Sequence, residues 1–413
     1  MKDFKGKLKN QFNYIGSNYQ FRFNVVTSSY EYRKYIKGKA KESGSWVMYS
    51  DRVRGDILIE MMEKDLDIAK DKFDLFIESE LVSPDYNPFL EYFENLPAWD
   101  GKTDHLKELC RTVVVTNQNH FETTMKKFLI GTLDCLLERD AVNDVCLVFQ
   151  SPQGVGKSRW MRSLLPKQFQ QDYLYEGNID TKNKDHTIYL SQYWFIHLDE
   201  LEAFKGNDIS AIKSFITRQR ISTRKAYGRY TSHFERRASF LGSVNDDKFL
   251  TDITGNRRWL VFITKEINYE HRVFIDGLWA QVYHYWKEGF KHWFDIEEIK
   301  EINQINEEFR NMSLEEEQLL QMYDFCKKGE SGNWLSSTDV LMEIGRIRPA
   351  LMNKMNSRNI GKALSKHCPE KKMSGGVQKY FCEMKPSLLT PTDPNQQELG
   401  GANKDEEHDD LPF

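Results

Sequence analysis

The run Gln153-Gly154-Val155-Gly156-Lys157-Ser158, followed by Arg159, places two glycines, a lysine and a hydroxyl in the order that suits phosphate chemistry. Glycines let backbone N–H groups converge on an anion, the Lys157 ammonium reaches the outer phosphates, and the Ser158 hydroxyl ligates Mg²⁺. Ser151 stands where the GxxxxGK[ST] pattern has its first glycine, but Gly154 and Gly156 flank the tightest part of the loop. About forty residues on, Asp199-Glu200 offers adjacent carboxylates. One can hold a Mg²⁺ shell; the other can orient and deprotonate a water attacking a γ-phosphate. Asn245 supplies a neutral amide able to bond that phosphate or water. Arg257-Arg258 supplies charge able to neutralise a transition state on a neighbouring subunit. The plainer uses are a helix N-cap for the acidic pair and an ion pair of one arginine with Asp252 or Asp199.

These residues need elements that hold them together. Val145 to Phe149 is a continuous apolar run, as in a strand buried on both faces of a parallel sheet. It breaks at Ser151-Pro152, and Trp160, Met161, Leu164 and Leu165 then recur at helical spacing. Tyr193 to Leu198 forms a second apolar strand leading into the acids, Ala238 to Val244 a third leading into Asn245, and Leu260 to Ile263 a fourth after the arginines. The pattern predicts an α/β fold with a parallel sheet. Phe121, Met125, Phe128, Leu129, Thr132, Leu136 and Leu137 predict an amphipathic helix packed ahead of the first strand.

The stretch from Lys205 to Arg237 is the most basic in the chain, with nine lysines and arginines against Asp208 and Glu235. Arg224, Lys225 and Arg229, interleaved with Tyr227 and Tyr230, suit single-stranded nucleic acid, because charges track phosphates and rings stack on bases. A solvated basic face is the plainer reading.

The chain has 413 residues, enough for two or three domains, and its net charge of −4 announces no nucleic-acid partner by itself. No apolar run is long enough to span a membrane, and the first residues lack the apolar region of a signal peptide, so a cytoplasmic protein is expected. Six scattered cysteines without a CxxC pair point to reduced thiols and no structural zinc. Residues 1–84 are expected to form a small mixed or helical accessory domain. Its Tyr30, Tyr32, Arg33, Lys34, Tyr35 and Lys37 could touch nucleic acid, but read better as a solvated helix face. Pro84 to Pro88 is a breaker cluster and a boundary.

SPQGVGKS, then LDELEAFKGNDISAIKSFITRQRISTRKAYGRYTSHFERRASFLGSVNDDKFLTDITGNRRWLVF, together with the upstream NPFLEYFENLPAWDG, resembles the virulence-associated E (VirE-type) P-loop ATPases of phages, plasmids and mobile elements. Their motif order is similar to that of superfamily 3 helicases within the AAA+ class. The resemblance covers about residues 85 to 290. It implies an AAA+ three-layer core over residues 144–295, preceded by a helical segment over 85–143. It also implies a DNA-dependent ATPase that uses ATP and Mg²⁺ as a homo-oligomeric ring, usually a hexamer, on single-stranded or forked DNA. By that likeness Lys157, Ser158, Asp199, Glu200 and Asn245 take the roles above. Arg258, immediately before an aromatic residue, is preferred to Arg257 as the arginine finger. Ser151 departs from the pattern, and no primase motif precedes the ATPase.

Residues 296–385 are expected to form an appended module. Glu-rich helices from Ile302 to Leu320 and on to Cys326 precede a helix start at Ser337-Thr338-Asp339, a second helix near Ile360 and a glycine-turned hairpin, an order that resembles a winged helix. Lys362, Lys366, Lys371, Lys372 and Lys379 would face a DNA backbone. Residues 386–413 have the composition of a disordered acidic tail. Its Leu411-Pro412-Phe413 end resembles the tip of bacterial single-stranded-DNA-binding proteins, which implies docking on a host replication or repair protein. Two function classes remain: a translocating ATPase or helicase, and a nucleotide-gated regulator or immunity protein that assembles without unwinding.

Overall fold

The computed structural model describes residues 2–35, 44–204, 207–224, 231–250 and 255–386. The chain divides into two compact units, one running to Arg310 and the other from Asn311.

The first unit begins with helix α1 (Lys2–Asn18) and the antiparallel strands β1 (Tyr19–Asn24), β2 (Ser29–Lys34) and β3 (Val47–Met48), followed by α2 (Asp51–Met62) and α3 (Lys70–Ile77). Tyr19 and Phe21 alternate onto a core with Ile57, Met61, Phe73 and Ile77, so period-two and helical patterns meet across one interface. Short β4 (Asp85–Tyr86) joins β1 in parallel, and α4 (Pro88–Asn95) starts beneath an Asn87 cap with proline in its first turn.

Next come α5 (His105–Cys110), β5 (Val113–Val115) and α6 (Gln118–Leu137). Helix α6 buries Phe121, Met125, Phe128, Leu129, Thr132 and Leu136, six of the seven positions its period marked, and leaves Leu137 half-buried. Then follow β6 (Cys146–Gln150), α7 (Lys157–Ser163), β7 (Leu174–Glu176), α8 (Lys184–Gln192), β8 (Phe195–Leu198) and α9 (Asn207–Ile216). The hairpin β9 (Ile221–Arg224) and β10 (Thr231–Phe234), then β11 (Ser239–Val244), β12 (Trp259–Ile267), α10 (Ile275–Lys287) and α11 (Ile296–Glu307), complete the unit.

A six-stranded sheet has the order β5-β12-β6-β11-β8-β7. All its pairings are parallel except that of β5 with β12. Every residue of β6 is buried. Leu147 and Phe149 face a cluster with Phe128, Trp160 and Trp279; Cys146 and Val148 face another with Ile212, Phe240 and Trp259. Burial on both faces explains why β6 has no alternation in sequence. Helix α11 belongs to this unit. Its buried Asn306 donates to the carbonyls of Asn256 and Trp259, at 2.7 and 2.9 Å.

The second unit holds α12 (Leu314–Met322), β13 (Tyr323–Phe325), β14 (Asn333–Ser336), α13 (Ser337–Ile347), α14 (Ser357–His367), β15 (Lys371–Ser374) and β16 (Val377–Met384). The expected helix through Cys326 stops at Met322, because Tyr323 to Phe325 pair with β16. The expected start of α13 is capped reciprocally by Ser336 and Asp339. Gly375 and Gly376, both at positive φ, close the β15–β16 hairpin. Residues 387–413, including the acidic Leu-Pro-Phe end, lie outside the described residues. All six cysteines are free and buried. Among the described residues no helix is long and apolar enough to cross a membrane, and no group of three or more His, Cys, Asp or Glu side chains is placed to hold a metal.

Candidate functional site

The carboxyl ends of β6, β8 and β11 lie along one edge of the sheet, where parallel α/β sheets place their ligands. The sheet order therefore gathers residues 151–158, Asp199-Glu200 and Asn245, which are far apart in the chain. Gln153 to Ser158, the two acids and Asn245 line a cavity of about 400 Å³, to which Arg159 and Tyr269 also contribute. That volume falls at the small end of the range usual for ligand pockets.

The loop leaves β6 at Gln150 and turns through Gly154 (φ +87°) and Gly156 (φ +97°) into α7. Those left-handed positions require glycine. Ser151 is not among the positive-φ residues, and its N–H bonds the Val244 carbonyl at 3.2 Å, so serine is accommodated at the pattern's first glycine. A Cβ at Gly156 would run into the Tyr269 ring, a second reason for glycine there.

Lys157 is buried, and its Nζ donates to the carbonyls of Ser151 (2.6 Å) and Pro152 (3.1 Å) and to Asn245 Oδ1 (3.0 Å). With the Ser151 hydroxyl oxygen as a fourth, more distant acceptor at 3.4 Å, all three protons of the ammonium are matched. Burial pushes the ammonium below the usual lysine range, against the opposing pull of Glu202 and Asp199. An arriving phosphate would therefore exchange with carbonyls that already hold this lysine.

Asn245 is tied to neighbours on two sides. Its Nδ2 and backbone N–H both donate to Glu202 Oε1, at 2.8 and 3.0 Å. The ammonium on one side and the carboxylate on the other fix the amide: oxygen toward Lys157, nitrogen toward Glu202. Glu202 was missed in sequence. It lies two residues beyond Glu200, on the short 3₁₀ turn Leu201–Ala203, and its Oε2 is buried without a hydrogen-bond partner. The only sequence signal was a third acid in Asp199-Glu200-Leu201-Glu202.

Asp199 and Glu200 are exposed at the end of β8. Asp199 Oδ1 accepts from the Ser243 hydroxyl of β11 and from the Glu200 N–H. Glu200 sits at φ +52°, an uncommon backbone state for a non-glycine residue and one that clusters at functional sites. Arg257 is exposed. Arg258 is half-buried, with Nη1 3.4 Å from the Gly255 carbonyl and Nε buried without a hydrogen-bond partner. Asp252, its suggested ion-pair partner, lies outside the described residues, and no ion pair with Asp199 is present among them.

The basic stretch splits. Arg236 and Arg237 point inward: the Arg236 guanidinium donates to the Ile216, Arg218 and Ala238 carbonyls, and Arg237 to the Leu136 carbonyl and Glu235. Lys213 is buried and donates to Asn256 Oδ1. These three stabilise the fold instead of presenting charge to a polymer. Arg220 is exposed. Lys225, Tyr227 and Arg229 lie outside the described residues, as does the side chain of Arg224. In the second unit Lys366 approaches buried Glu316 at 3.7 Å, Lys371 donates to the Ser365 carbonyl, and Lys372 lies over the Trp334 ring. Lys362 is exposed on α14.

In the comparisons with known proteins, a family model, the virulence-associated protein E-like domain, matches residues 93–311. Comparison with curated proteins finds no match. Among solved structures, an apo structure of the NrS-1 C-terminal region is 12% identical over 90% of this chain and 97% of that one, with a TM-score of 0.43. An A-form apo structure of the same region is 15% identical with a TM-score of 0.37. It covers 70% of this chain, which spans 65% of that one. With the family model matching more than half of its length, the chain belongs to the virulence-associated protein E-like family.

Proposed function

We propose that this protein is a DNA-dependent ATPase with an AAA+ core of the superfamily 3 helicase type, working as a ring in the replication of a mobile element. The observation that carries the reading is the meeting of Lys157 with Asn245 beside Asp199, at the carboxyl ends of neighbouring parallel strands. Strand order adds support: β6 lies between β12 and β11, strands reached only much later in the chain.

The residues fit a magnesium nucleoside triphosphate. The loop turns through two left-handed glycines, and Ser158 and Asp199 supply the hard oxygen ligands that Mg²⁺ prefers. When bound, the metal would neutralise charge on the terminal phosphates. Lys157 adds a cation to the same charge, Glu200 orients a water and accepts its proton, and Asn245, its amide oriented by Glu202, donates its second Nδ2 proton to the terminal phosphate. Arg258 or Arg257 of a neighbouring copy completes the charge balance. Arg224, with Lys225 and Arg229 further along the chain, tracks the phosphates of a single strand, and Tyr227 stacks on its bases. The second unit acts as a winged-helix-like module, and Lys362 and Lys366 add backbone contacts on forked DNA. The acidic tail docks a host replication or repair protein.

The test is ATP turnover with and without single-stranded DNA over a salt series, alongside light scattering for assembly. The expected result is strand-stimulated turnover that falls with salt and vanishes in Lys157→Ala. Full turnover by a monomer, indifferent to DNA, would overturn the reading. Nucleotide-driven assembly without DNA stimulation or fork unwinding would select the gated-regulator class instead.

A further inference from the structure

The cavity at the sheet edge has one wall with a different chemistry. Among the described residues lining it, the charged and polar ones suit a phosphate chain and metal, and Tyr269 is the aromatic one. Its ring lies directly over the loop, close enough that even a methyl group at Gly156 would collide with it. The Arg159 guanidinium stands 5.2 Å from the ring centroid, within cation–π range.

The ring is fixed on both sides along the chain. The Asn268 N–H donates to the Thr112 carbonyl at 2.8 Å. His271 Nδ1 accepts from the Val273 N–H, which leaves the proton on Nε2 to meet the Ser163 hydroxyl at 2.8 Å. Ser163 lies at the end of α7, so the segment after β12 is strapped along the helix that carries Lys157 and Arg159. Phosphate binding alone has no use for an aromatic wall held this firmly. A planar heteroaromatic base does, because stacking on a fixed ring costs little ordering entropy.

We propose that Tyr269, backed by Arg159, is the base-stacking wall of this cavity, so that the site selects a nucleoside triphosphate over an inorganic polyphosphate. The proposal rests on the nucleotide reading above.

The experiment compares magnesium ATP with magnesium tripolyphosphate, which shares the phosphate chain and lacks the nucleoside. Each is titrated calorimetrically into the full-length wild type, Tyr269→Ala, Tyr269→Phe and Lys157→Ala. The wild type and Tyr269→Phe should bind ATP more tightly than tripolyphosphate. Tyr269→Ala should lose about ten-fold or more in ATP affinity and keep its tripolyphosphate affinity, which also certifies that the variant is folded. Equal losses for both ligands would make the ring a mere support for the loop and overturn the proposal. Unchanged ATP affinity in Tyr269→Ala would overturn it too, while Lys157→Ala still weakens both ligands and leaves the nucleotide reading intact. A wild type that binds neither ligand would overturn the nucleotide reading and this wall together.

Discussion

Lys157 and Asn245 are 88 residues apart in sequence, and the lysine Nζ lies 3.0 Å from the asparagine Oδ1. The contact joins the phosphate-type loop to the tip of β11. Its geometry is set by Glu202, which holds the other end of the same amide.

Glu202 is therefore expected to act on turnover through Asn245. Glu202→Ala frees the amide to rotate. It should lower kcat about ten-fold or more, the scale of one lost hydrogen bond to a charged group, with KM changed little. Glu202→Gln keeps an acceptor oxygen for Asn245 and should recover most of the rate. Equal kcat values for Glu202→Ala and the wild type would sever the link.

Gly156 carries two constraints that can be separated. Gly156→Ala must hold φ near +97° and push against the Tyr269 ring. The expected cost is about 1–3 kcal/mol for backbone strain, with overpacking added. In a Tyr269→Ala background only the strain remains, so the same substitution should cost less. Denaturant melts of the four proteins give the coupling directly; strict additivity would show that the ring contact carries no weight.

Arg236 tests whether the basic stretch is one surface or two. Its buried guanidinium is bonded to main-chain carbonyls at 2.6, 2.9 and 3.0 Å, and burial pushes it below the usual arginine range. Arg236→Leu leaves those carbonyls unpaired and should destabilise the protein by about 2–4 kcal/mol, while the salt dependence of DNA binding stays as in the wild type. Arg220→Ala, at an exposed position, should leave the melting transition unchanged. A flatter salt slope in folded Arg236→Leu would place that arginine on the polymer.

Glu60 predicts an acid-sensitive step in the first unit. Lys34 Nζ, Tyr14 OH and Tyr19 OH each donate to its carboxylate at 2.7 Å, and these hydrogen bonds hold its pKa down to about 2. A carboxyl depressed in the folded state contributes stability above its ordinary value of 4.5, and that contribution is lost as pH falls through about 2. The urea midpoint of the wild type should exceed that of Glu60→Gln near neutral pH, with the gap closing across this acid window. A gap that stays constant with pH would rule out the carboxylate as its source.

The sequence by itself determined the local grammar. The apolar runs of β6, β8 and β11, the glycine turn into Lys157 and the helical period of α6 are properties of neighbours along the chain, and burial or dihedral preference makes them visible there. The tertiary structure alone decided who meets whom. Sheet order placed β11 beside β6 and so set Asn245 against Lys157; a 3₁₀ turn brought in Glu202; the segment after β12 laid Tyr269 over Gly156. The inward turn of Arg236 was equally hidden, because a buried arginine satisfied by carbonyls and a solvated one have the same residue type in the same basic run. Such contacts depend on sheet order and side-chain direction, which charge and period along one chain do not report.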